Sequence, residues 1–381
     1  MPSKFISYGK QWLDDEEIQS VINVLESNFL TQGPIVEQFE QDICNYTGSK
    51  YCIAVSNGTA ALHISVSALN IEQGMEGITT PNTFLATPNS MLYNDIHPIF
   101  ADINPKTYNI SIKSIKEKIT PNTRLIMPVH FAGQPCKMDQ IQKIAKNNDL
   151  YIIEDAAHAI GSKYSDGSRV GNCKFSDITI FSFHPVKTMT TGEGGAITTN
   201  DKELYEKLKR LRDHGINRLN DSAKPWLYEM IDLGFNYRLT DMQAALGLVQ
   251  LKKLDYFIRR RREIVSIYNE SFKDVEIITI PYESDNIESA FHLYVLLINF
   301  GSLRICRGDL INQLKSKGIG TQVHYIPIYL QPYYKNKFNL KSIHYKNSNS
   351  YYNKTLSIPL YPKMTNDDVR YVINSIISIC K

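Results

Sequence analysis

The spacing of apolar positions divides the chain into two parts of different character. In roughly the first two-thirds, segments with the 3.6-residue period of an amphipathic helix, such as 14–28 and 34–46, alternate with short apolar runs. These runs are rich in β-branched and aromatic residues and have the length of strands. They are residues 51–55, 77–80, 97–101, 125–129, 151–154, 178–182 and 196–199. The alternation predicts an α/β fold with a wound sheet of buried strands.

The pattern changes after about residue 240. One long helical pattern covers residues 240–269, and elements of mixed type follow it. They are a strand at 292–298, a helix at 307–317, an aromatic loop at 325–334 and a final helix at 366–379. This order is typical of an α+β unit, so we predict a large α/β domain over residues 1–250 and a smaller C-terminal domain over 251–381.

The composition is that of an ordinary folded protein with small partners. The 381 residues are 43% hydrophobic and 21% charged, and 42 basic against 39 acidic side chains leave a net charge of +3. So small a charge favours neither a nucleic-acid surface nor a membrane surface. Four consecutive arginines, residues 259–262, lie in the long helical pattern, where they point in several directions. We expect them to form a solvated face or a subunit contact.

Cysteine spacing and hydropathy bear on where the protein works. Six cysteines are scattered without a C-x-x-C pair, which predicts no metal site and no disulfide framework. Residues 1–10 contain no apolar leader, and no stretch approaches the roughly 20 apolar residues of a membrane-spanning helix. We therefore expect a soluble, cytoplasmic protein with reduced thiols.

A turn of small residues, 56–61, follows the first strong strand and opens a helix. Such a turn lets a phosphate approach free backbone N–H groups at the positive end of the helix dipole. A simple helix cap, made by Ser56 or Asn57, fits the same residues equally well.

Two later strands end in residues that can carry chemistry. Asp155 follows the strand at 151–154, at the end where open α/β sheets bind ligands, although a helix cap is again the alternative. Ser182 ends the strand at 178–182, and its hydroxyl suits a phosphate oxygen. Lys187 follows before a glycine-rich turn, where exclusion of water would lower its pKa and make its amine a nucleophile.

A phosphate turn, a carboxylate at a strand end and a buried lysine are the parts that hold pyridoxal 5′-phosphate (PLP). Five stretches, in order along nearly the whole chain, resemble the DegT/DnrJ/EryC1/StrS family of PLP-dependent nucleotide-sugar aminotransferases. They are 57–62 (NGTAAL), 154–158 (EDAAH), 182–187 (SFHPVK), 192–195 (GEGG) and 234–238 (GFNYR). The resemblance implies the PLP-dependent transferase fold type I, with a mainly parallel seven-stranded sheet in the large domain and a smaller α+β domain.

The resemblance also implies roles for the residues that match the family's motifs. Lys187 would bond covalently to PLP and carry protons once released, and Asp155 would pair with the protonated pyridine nitrogen. The other implied cofactor-binding residues are Gly58, Thr59 and Ser182 at the phosphate, Phe84 on the ring face, His158 beside the cofactor, and Asn236. Asn236 matches a residue that reaches the phosphate from the neighbouring subunit, which implies a homodimer with shared active sites. Without the resemblance, a core role fits Phe84 equally well.

Two further stretches, 30–33 (LTQG) and 322–329 (QVHYIPIY), resemble the aminotransferases of pseudaminic acid biosynthesis. The implied substrate is a UDP-linked 4-keto-6-deoxy-N-acetylhexosamine of L configuration, with L-glutamate as the expected amino donor. The positions implied to contact the nucleotide-sugar are Tyr8, Asn28, Phe29, Leu30, Thr31, Tyr325, Ile326, Pro327 and Ile328. Enzymes that aminate other nucleotide 4-keto or 3-keto sugars, of bacillosamine or perosamine type, share much of this frame and stay an alternative.

Lys187 and Asp155 also bear on two alternative functions. A PLP-dependent dehydratase of this family has histidine at the position of the lysine, so Lys187 argues against it. A regulatory protein of the same fold would need neither Lys187 nor Asp155.

Overall fold

Helices and strands alternate along most of the chain. The structure is a computed structural model that describes residues 5–219 and 223–380. The helices of these ranges are α1 (Asp15–Leu25), α2 (Pro34–Thr47), α3 (Gly58–Ala68), α4 (Ala86–Leu92), α5 (Ile112–Lys118), α6 (Met138–Asn148), α7 (Lys202–Arg212), α8 (Asp241–Phe272), α9 (Arg307–Ser316), α10 (Pro332–Phe338), α11 (Lys346–Lys354) and α12 (Asn366–Cys380). The strands are β1 (Tyr51–Val55), β2 (Glu76–Thr79), β3 (His97–Phe100), β4 (Thr123–Ile126), β5 (Tyr151–Asp155), β6 (Ile178–Ser182), β7 (Gly195–Thr199), β8 (Ile216–Arg218), β9 (Tyr228–Met230), β10 (Ile278–Thr279), β11 (Tyr294–Ile298) and β12 (Thr355–Ile358). Within the described ranges, no helix is long and apolar enough to cross a membrane.

The large sheet has seven strands in the order β1-β7-β6-β5-β4-β2-β3. Strand β7 runs antiparallel to both of its neighbours, and the pairs from β6 through β5, β4 and β2 to β3 are parallel. The wound, mainly parallel sheet predicted from the sequence is therefore confirmed. The carboxyl ends of β1, β5 and β6 lie at the same edge, which is where such sheets bind ligands.

Strand boundaries follow the apolar runs closely, with one informative exception. Strands β1 and β6 coincide with their predicted runs, whereas β4 covers Thr123–Ile126 instead of 125–129. Pro128 has no N–H to donate to a neighbouring strand. Val129 rejoins the sheet only through an isolated bridge to Asp155.

Two apolar cores meet along α8. Leu251 and Leu254 pack into a core beside the large sheet, and Ile264 and Val265 of the same helix pack into a second core. The second core contains the three-stranded sheet β10-β11-β12, of which the sequence pattern indicated only β11. The domain boundary near residue 250 stays a prediction.

We expected the arginine run of α8 to form a solvated face or a subunit contact. Arg259 is exposed, whereas Arg261 lies in the protein interior and does neither. Arg261 is 1% exposed, and its guanidinium donates to the carbonyls of His292 at 3.2 Å and Leu360 at 2.8 Å. Burial lowers the pKa of Arg261 to about 9. Arg262 pairs with Glu283 at 2.7 Å. Arg261 therefore ties α8 to segments at the second core, because carbonyl groups of these segments accept hydrogen bonds from a cation that the charge pattern alone places in solvent.

Candidate active site

The carboxyl ends of β1, β5 and β6 border a cavity of about 800 Å³. Most of the predicted site residues line it. They are Tyr8, Gly58, Thr59, Phe84, Asp155, His158, Ser182, Lys187, Tyr325 and Ile326. Residues that are far apart in the sequence thus converge on the edge of the sheet where a ligand is expected.

The turn after β1 packs closely against the end of β6. Gly58 begins α3, and a β-carbon added there would lie 2.9 Å from Ser182 Cβ, so only glycine fits without a shift. Asn57 caps the helix, because its side chain accepts the Ala60 N–H at 2.8 Å. The first N–H groups of a helix have no intrahelical acceptor, so those of Gly58 and Thr59 can still receive an anion. A cap and an anion site are therefore compatible in this turn.

Asp155 is the last residue of β5 and is 4% exposed. Its Oδ1 accepts the Ala157 N–H at 3.1 Å, and its Oδ2 accepts the Thr87 hydroxyl at 2.6 Å. In the described part of the chain β6, not a helix, follows β5, so the alternative of a helix cap is wrong. A buried carboxylate in this setting favours a positively charged ligand atom.

Lys187 lies in the connection between β6 and β7. Its side chain is half-buried at the cavity, and its backbone N–H donates to the His184 carbonyl at 2.8 Å. The protein packed around the amine lowers its pKa to about 8, while the negative charge of Asp155 acts in the opposite direction. The predicted direction of the pKa is confirmed, and a large fraction of the amine is neutral at mildly alkaline pH.

Aromatic and imidazole rings form one wall of the cavity. The Tyr325 hydroxyl lies 2.9 Å from His158 Nε2, and His158 Nδ1 accepts the Ala132 N–H at 3.3 Å. An imidazole that accepts at Nδ1 and is neutral carries its hydrogen on Nε2, so His158 donates to Tyr325. Burial, reinforced by the positive charge of Lys187, holds the pKa of His158 well below its usual value, which agrees with a neutral ring.

Phe84 and two further histidines also line the cavity. Phe84 is 58% exposed, which excludes the core role that was its alternative. Neither His292 nor His324 was predicted as a site residue, although His292 begins the predicted strand at 292–298 and His324 lies in the stretch 322–329. Burial and the nearby Lys187 lower the pKa of His324 to about 3, so this ring adds no positive charge to the cavity.

Some predicted residues lie outside the cavity of this chain. They are Asn28, Phe29, Leu30, Thr31, Asn236, Pro327 and Ile328. The first four are exposed between α1 and α2, and Asn236 is exposed beside Tyr237, which does line the cavity. Ile328 is buried in a cluster with Phe100, and its N–H donates to the Pro81 carbonyl at 3.0 Å.

The residues that line the cavity fit PLP in charge and shape. The start of α3 and the Ser182 hydroxyl suit a phosphate group. The Asp155 carboxylate suits a protonated ring nitrogen, and the Lys187 amine suits an aldehyde carbon. Aromatic walls suit a planar ring.

Comparison with known proteins identifies the family of the chain. The model of the DegT/DnrJ/EryC1/StrS aminotransferase family matches residues 11–377. An uncharacterized protein of Methanocaldococcus jannaschii is 46% identical over 98% of this chain and 97% of its own. The UDP-4-amino-4,6-dideoxy-N-acetyl-beta-L-altrosamine transaminase of Campylobacter jejuni is 38% identical over 98% of this chain and 97% of its own. The solved structure of Helicobacter pylori PseC, an aminotransferase involved in the biosynthesis of pseudoaminic acid, has a TM-score of 0.93 at 33% identity and covers 99% of both chains.

These matches also bear on the cofactor and the fold type. Aminotransferases of this family depend on PLP, and one of the matched structures is a PLP form. The structural neighbours share the predicted fold type I. The chain therefore belongs to the DegT/DnrJ/EryC1/StrS aminotransferase family and is a PLP-dependent sugar aminotransferase.

Proposed function

We propose that Lys187, Asp155 and the start of α3 hold PLP while the enzyme transfers an amino group to a nucleotide-linked keto sugar. The observation that carries this assignment is that a low-pKa amine, Lys187, and a buried carboxylate, Asp155, line the same cavity. When bound, PLP supplies an electron-accepting ring that stabilises negative charge on the carbon that loses a proton. Gly58, Thr59 and Ser182 take the phosphate in this proposal.

The other steps of catalysis are assigned to side chains of the protein. Lys187 bonds covalently to the cofactor, and its Nζ, when free, moves a proton as a base whose pKa of about 8 lies near the working pH. Asp155 holds a positive charge at the ring nitrogen. His158 and Tyr325 are neutral, so they orient ligands through hydrogen bonds without competing for that charge. Phe84, which lines the cavity and is 58% exposed, packs on the ring face in this proposal.

For the substrate, we propose a UDP-linked 4-keto-6-deoxy-N-acetylhexosamine of L configuration, as in pseudaminic acid biosynthesis, with L-glutamate as the donor. Support comes from the 38% identity to the Campylobacter jejuni transaminase over nearly the full length. Tyr8, Tyr325 and Ile326 provide the polar and apolar surface that a sugar ring and a uracil need.

One observation favours a second candidate, amination of another nucleotide 4-keto or 3-keto sugar. Two stretches resemble pseudaminic acid enzymes. Residues 322–326 of the second stretch line the cavity, whereas none of residues 30–33 does. The cavity formed by a single chain therefore contains residues from only one of the two stretches that indicate a pseudaminic acid substrate.

A panel of sugar epimers separates these candidates. The enzyme is incubated with L-glutamate and UDP-4-keto-6-deoxy-N-acetylhexosamines of L and D configuration, and kcat/KM is compared while the product is identified by NMR. We expect the L epimer to be preferred about tenfold or more, because a wrong epimer leaves buried donors unpaired. Equal values, or a preference for the D epimer, would assign the enzyme to the second candidate and leave the PLP chemistry intact.

We further propose a homodimer in which Asn236 serves the partner's active site. Asn236 is exposed and lies outside its own cavity, close in sequence to a surface rich in apolar side chains. The exposed fractions on this surface, formed by β9 and its flanking residues, are 72% for Trp226, 63% for Met230 and 77% for Leu233. Large exposed apolar groups in such numbers favour burial against a second copy of the chain.

Mixing of inactive subunits tests the shared site. Lys187→Ala and Asn236→Asp subunits are each expected to be inactive, and a hybrid dimer has one site with both wild-type residues. Activity should return after subunit exchange, whereas each parent alone stays inactive. If exchange is demonstrated by labelled subunits and no activity returns, the site is not shared.

A cytoplasmic location completes the proposal. The six cysteines are free thiols, and five of them are buried. Reduced thiols are typical of a cytoplasmic protein. Fractionation of the producing cells tests this location.

A further inference from the structure

A chain of buried hydroxyl groups leads to the carboxylate of Asp155. Thr83 Oγ1 lies 2.8 Å from Thr87 Oγ1, and Thr87 Oγ1 lies 2.6 Å from Asp155 Oδ2. We propose that Thr87 is a positioning residue that fixes the Asp155 carboxylate for the cofactor and that Thr83 orients Thr87. This inference rests on the proposed function, because Asp155 must meet the ring nitrogen of PLP.

The direction of these hydrogen bonds follows from the chemistry of the groups. An ionised carboxylate only accepts, so the single hydrogen of Thr87 points at Asp155. The oxygen of Thr87 is then left as an acceptor, and the Thr83 hydroxyl donates to it. Both hydroxyls therefore act in one direction, toward the carboxylate, and their partial charges stabilise its negative charge.

The hydroxyl chain also fixes the orientation of the carboxylate. The Ala157 N–H engages Oδ1 from the β5 side, while Thr87 engages Oδ2 from α4. With one donor on each oxygen, the plane of the carboxylate cannot rotate without breaking a bond to a charged group. The three residues of the chain are between 0% and 4% exposed, so water offers no substitute for either bond.

The same segment carries the aromatic ring proposed for the cofactor face. Phe84 follows Thr83 directly, and the Thr87 N–H donates to the Phe84 carbonyl at 3.3 Å. Residues 83–87 line one side of the cavity. This short segment therefore fixes the position of the Phe84 ring relative to the Thr87 hydroxyl that holds Asp155. Neither threonine was predicted as a site residue from the sequence.

Substitutions that remove one hydroxyl at a time test the proposal. Thr87→Val keeps the shape and removes the donor, Thr87→Ser keeps the donor, and Thr83→Val removes only the second hydroxyl. Ser90→Ala is the matched control, because Ser90 is also buried in α4 and donates to the Thr87 carbonyl at 2.7 Å, but does not line the cavity. The readouts are the Kd of the full-length apoenzyme for PLP, the rate of the half-reaction with the amino donor, and the melting temperature.

The expected order of effects is specific. Thr87→Val should raise the Kd for PLP about tenfold and slow the half-reaction by a similar factor, since a hydrogen bond to a charged group is lost. Thr87→Ser should recover most of both losses, and Thr83→Val should change them about threefold at most. Ser90→Ala should lower the melting temperature and leave the Kd for PLP unchanged.

A double-mutant cycle distinguishes this role from simple packing. If Thr87 acts through Asp155, the effect of Thr87→Val on the Kd should disappear in an Asp155→Ala background. The proposal is overturned if Thr87→Val has wild-type Kd and half-reaction rate, if Thr87→Ser is as impaired as Thr87→Val, or if the effect persists without Asp155. A wild-type Kd and rate for Asp155→Ala itself would instead refute the proposed role of Asp155.

Discussion

The two halves of the cavity are held in place by different means. The sheet half consists of Asp155, Ser182 and Lys187, which lie at strand ends or just after one, where the pairing of β5 with β6 and β6 with β7 fixes the backbone. The C-terminal half includes His292 and Tyr325, which are held by contacts with distant groups. The His292 carbonyl accepts from the buried Arg261 guanidinium of α8, and the Tyr325 hydroxyl accepts from His158, which follows β5 in the sequence.

This difference suits the halves to different tasks. A hydrogen-bonded sheet resists displacement, so it can hold groups whose distance to the cofactor decides the rate. Rings on loops can differ in size and polarity without disturbing that sheet, so they can adapt the cavity to one sugar. We therefore expect changes in the sheet half to lower kcat, and changes in the C-terminal half to raise mainly the KM for the sugar.

The largest effect is expected for Lys187→Ala, which should abolish turnover and the covalent retention of PLP. The physical reason is that, among the described residues, Lys187 is the only lysine that lines the cavity with Asp155. Borohydride reduction followed by mass spectrometry measures the linkage. Lys207→Ala is the control, because burial also lowers the pKa of Lys207, which lies on α7 away from the cavity lining. A reducible linkage at another lysine in Lys187→Ala would contradict the assignment.

The second-largest effect is expected for Asp155→Ala, which should lower the half-reaction rate roughly a hundredfold or more. At about 1.4 kcal/mol per tenfold, this is a loss of several kcal/mol of transition-state stabilisation. Rapid mixing with the amino donor measures that rate. Asp177→Ala is the matched control, since its carboxylate accepts the Ile152 N–H at 2.7 Å at the opposite end of β5. The control should lower stability and spare the rate. A near-normal rate for Asp155→Ala with cofactor bound would show that the carboxylate is not needed.

The sheet half is also the half that the sequence predicts best. A buried strand followed by a polar residue determines both the strand and the edge on which the residue lies, and this rule located Asp155 and Ser182. The start of α3 was predictable because a glycine turn after a strand admits few other structures. For these residues, the strand that the local sequence predicts also determines where the residue lies in the fold.

The C-terminal half lacks this link between local sequence and position in the fold. His292 and the stretch around Ile328 come from loops, whose course depends on which distant surfaces pack against them. Residue type did not separate Tyr325, which lines the cavity, from Ile328, which is buried in a cluster. Arg261 was misjudged for a related reason, because the carbonyl groups that satisfy it lie far along the chain. The charge pattern of the sequence gives the sign of each side chain's charge and does not show which groups it bonds to.

A smaller effect, on KM, is expected for Tyr325→Phe in the C-terminal half. The variant keeps the ring and loses the hydroxyl that meets His158 at 2.9 Å. We expect the KM for the sugar to rise about tenfold while kcat changes little, as for a lost polar contact to substrate. Tyr329→Phe is the control, because the Tyr329 hydroxyl donates to Asn349 at 2.8 Å and this residue does not line the cavity. A fall in kcat at constant KM would contradict this expectation and show that Tyr325 acts on the rate, as we expect of residues in the sheet half.

The smallest effect concerns the pH dependence of cofactor capture and tests the coupling within the sheet half. Burial lowers the pKa of Lys187 to about 8, and only the neutral amine is a nucleophile. The rate at which the apoenzyme bonds to PLP should therefore rise with pH and level off above about 8, whereas a peptide with an exposed lysine should keep rising toward about 10.4. Because the charge of Asp155 raises the pKa of Lys187, Asp155→Ala should move the plateau to lower pH. Stopped-flow absorbance measures the rate. A wild-type rate that still rises at pH 10, or a plateau that Asp155→Ala leaves in place, would show that burial and Asp155 do not set the pKa of this amine.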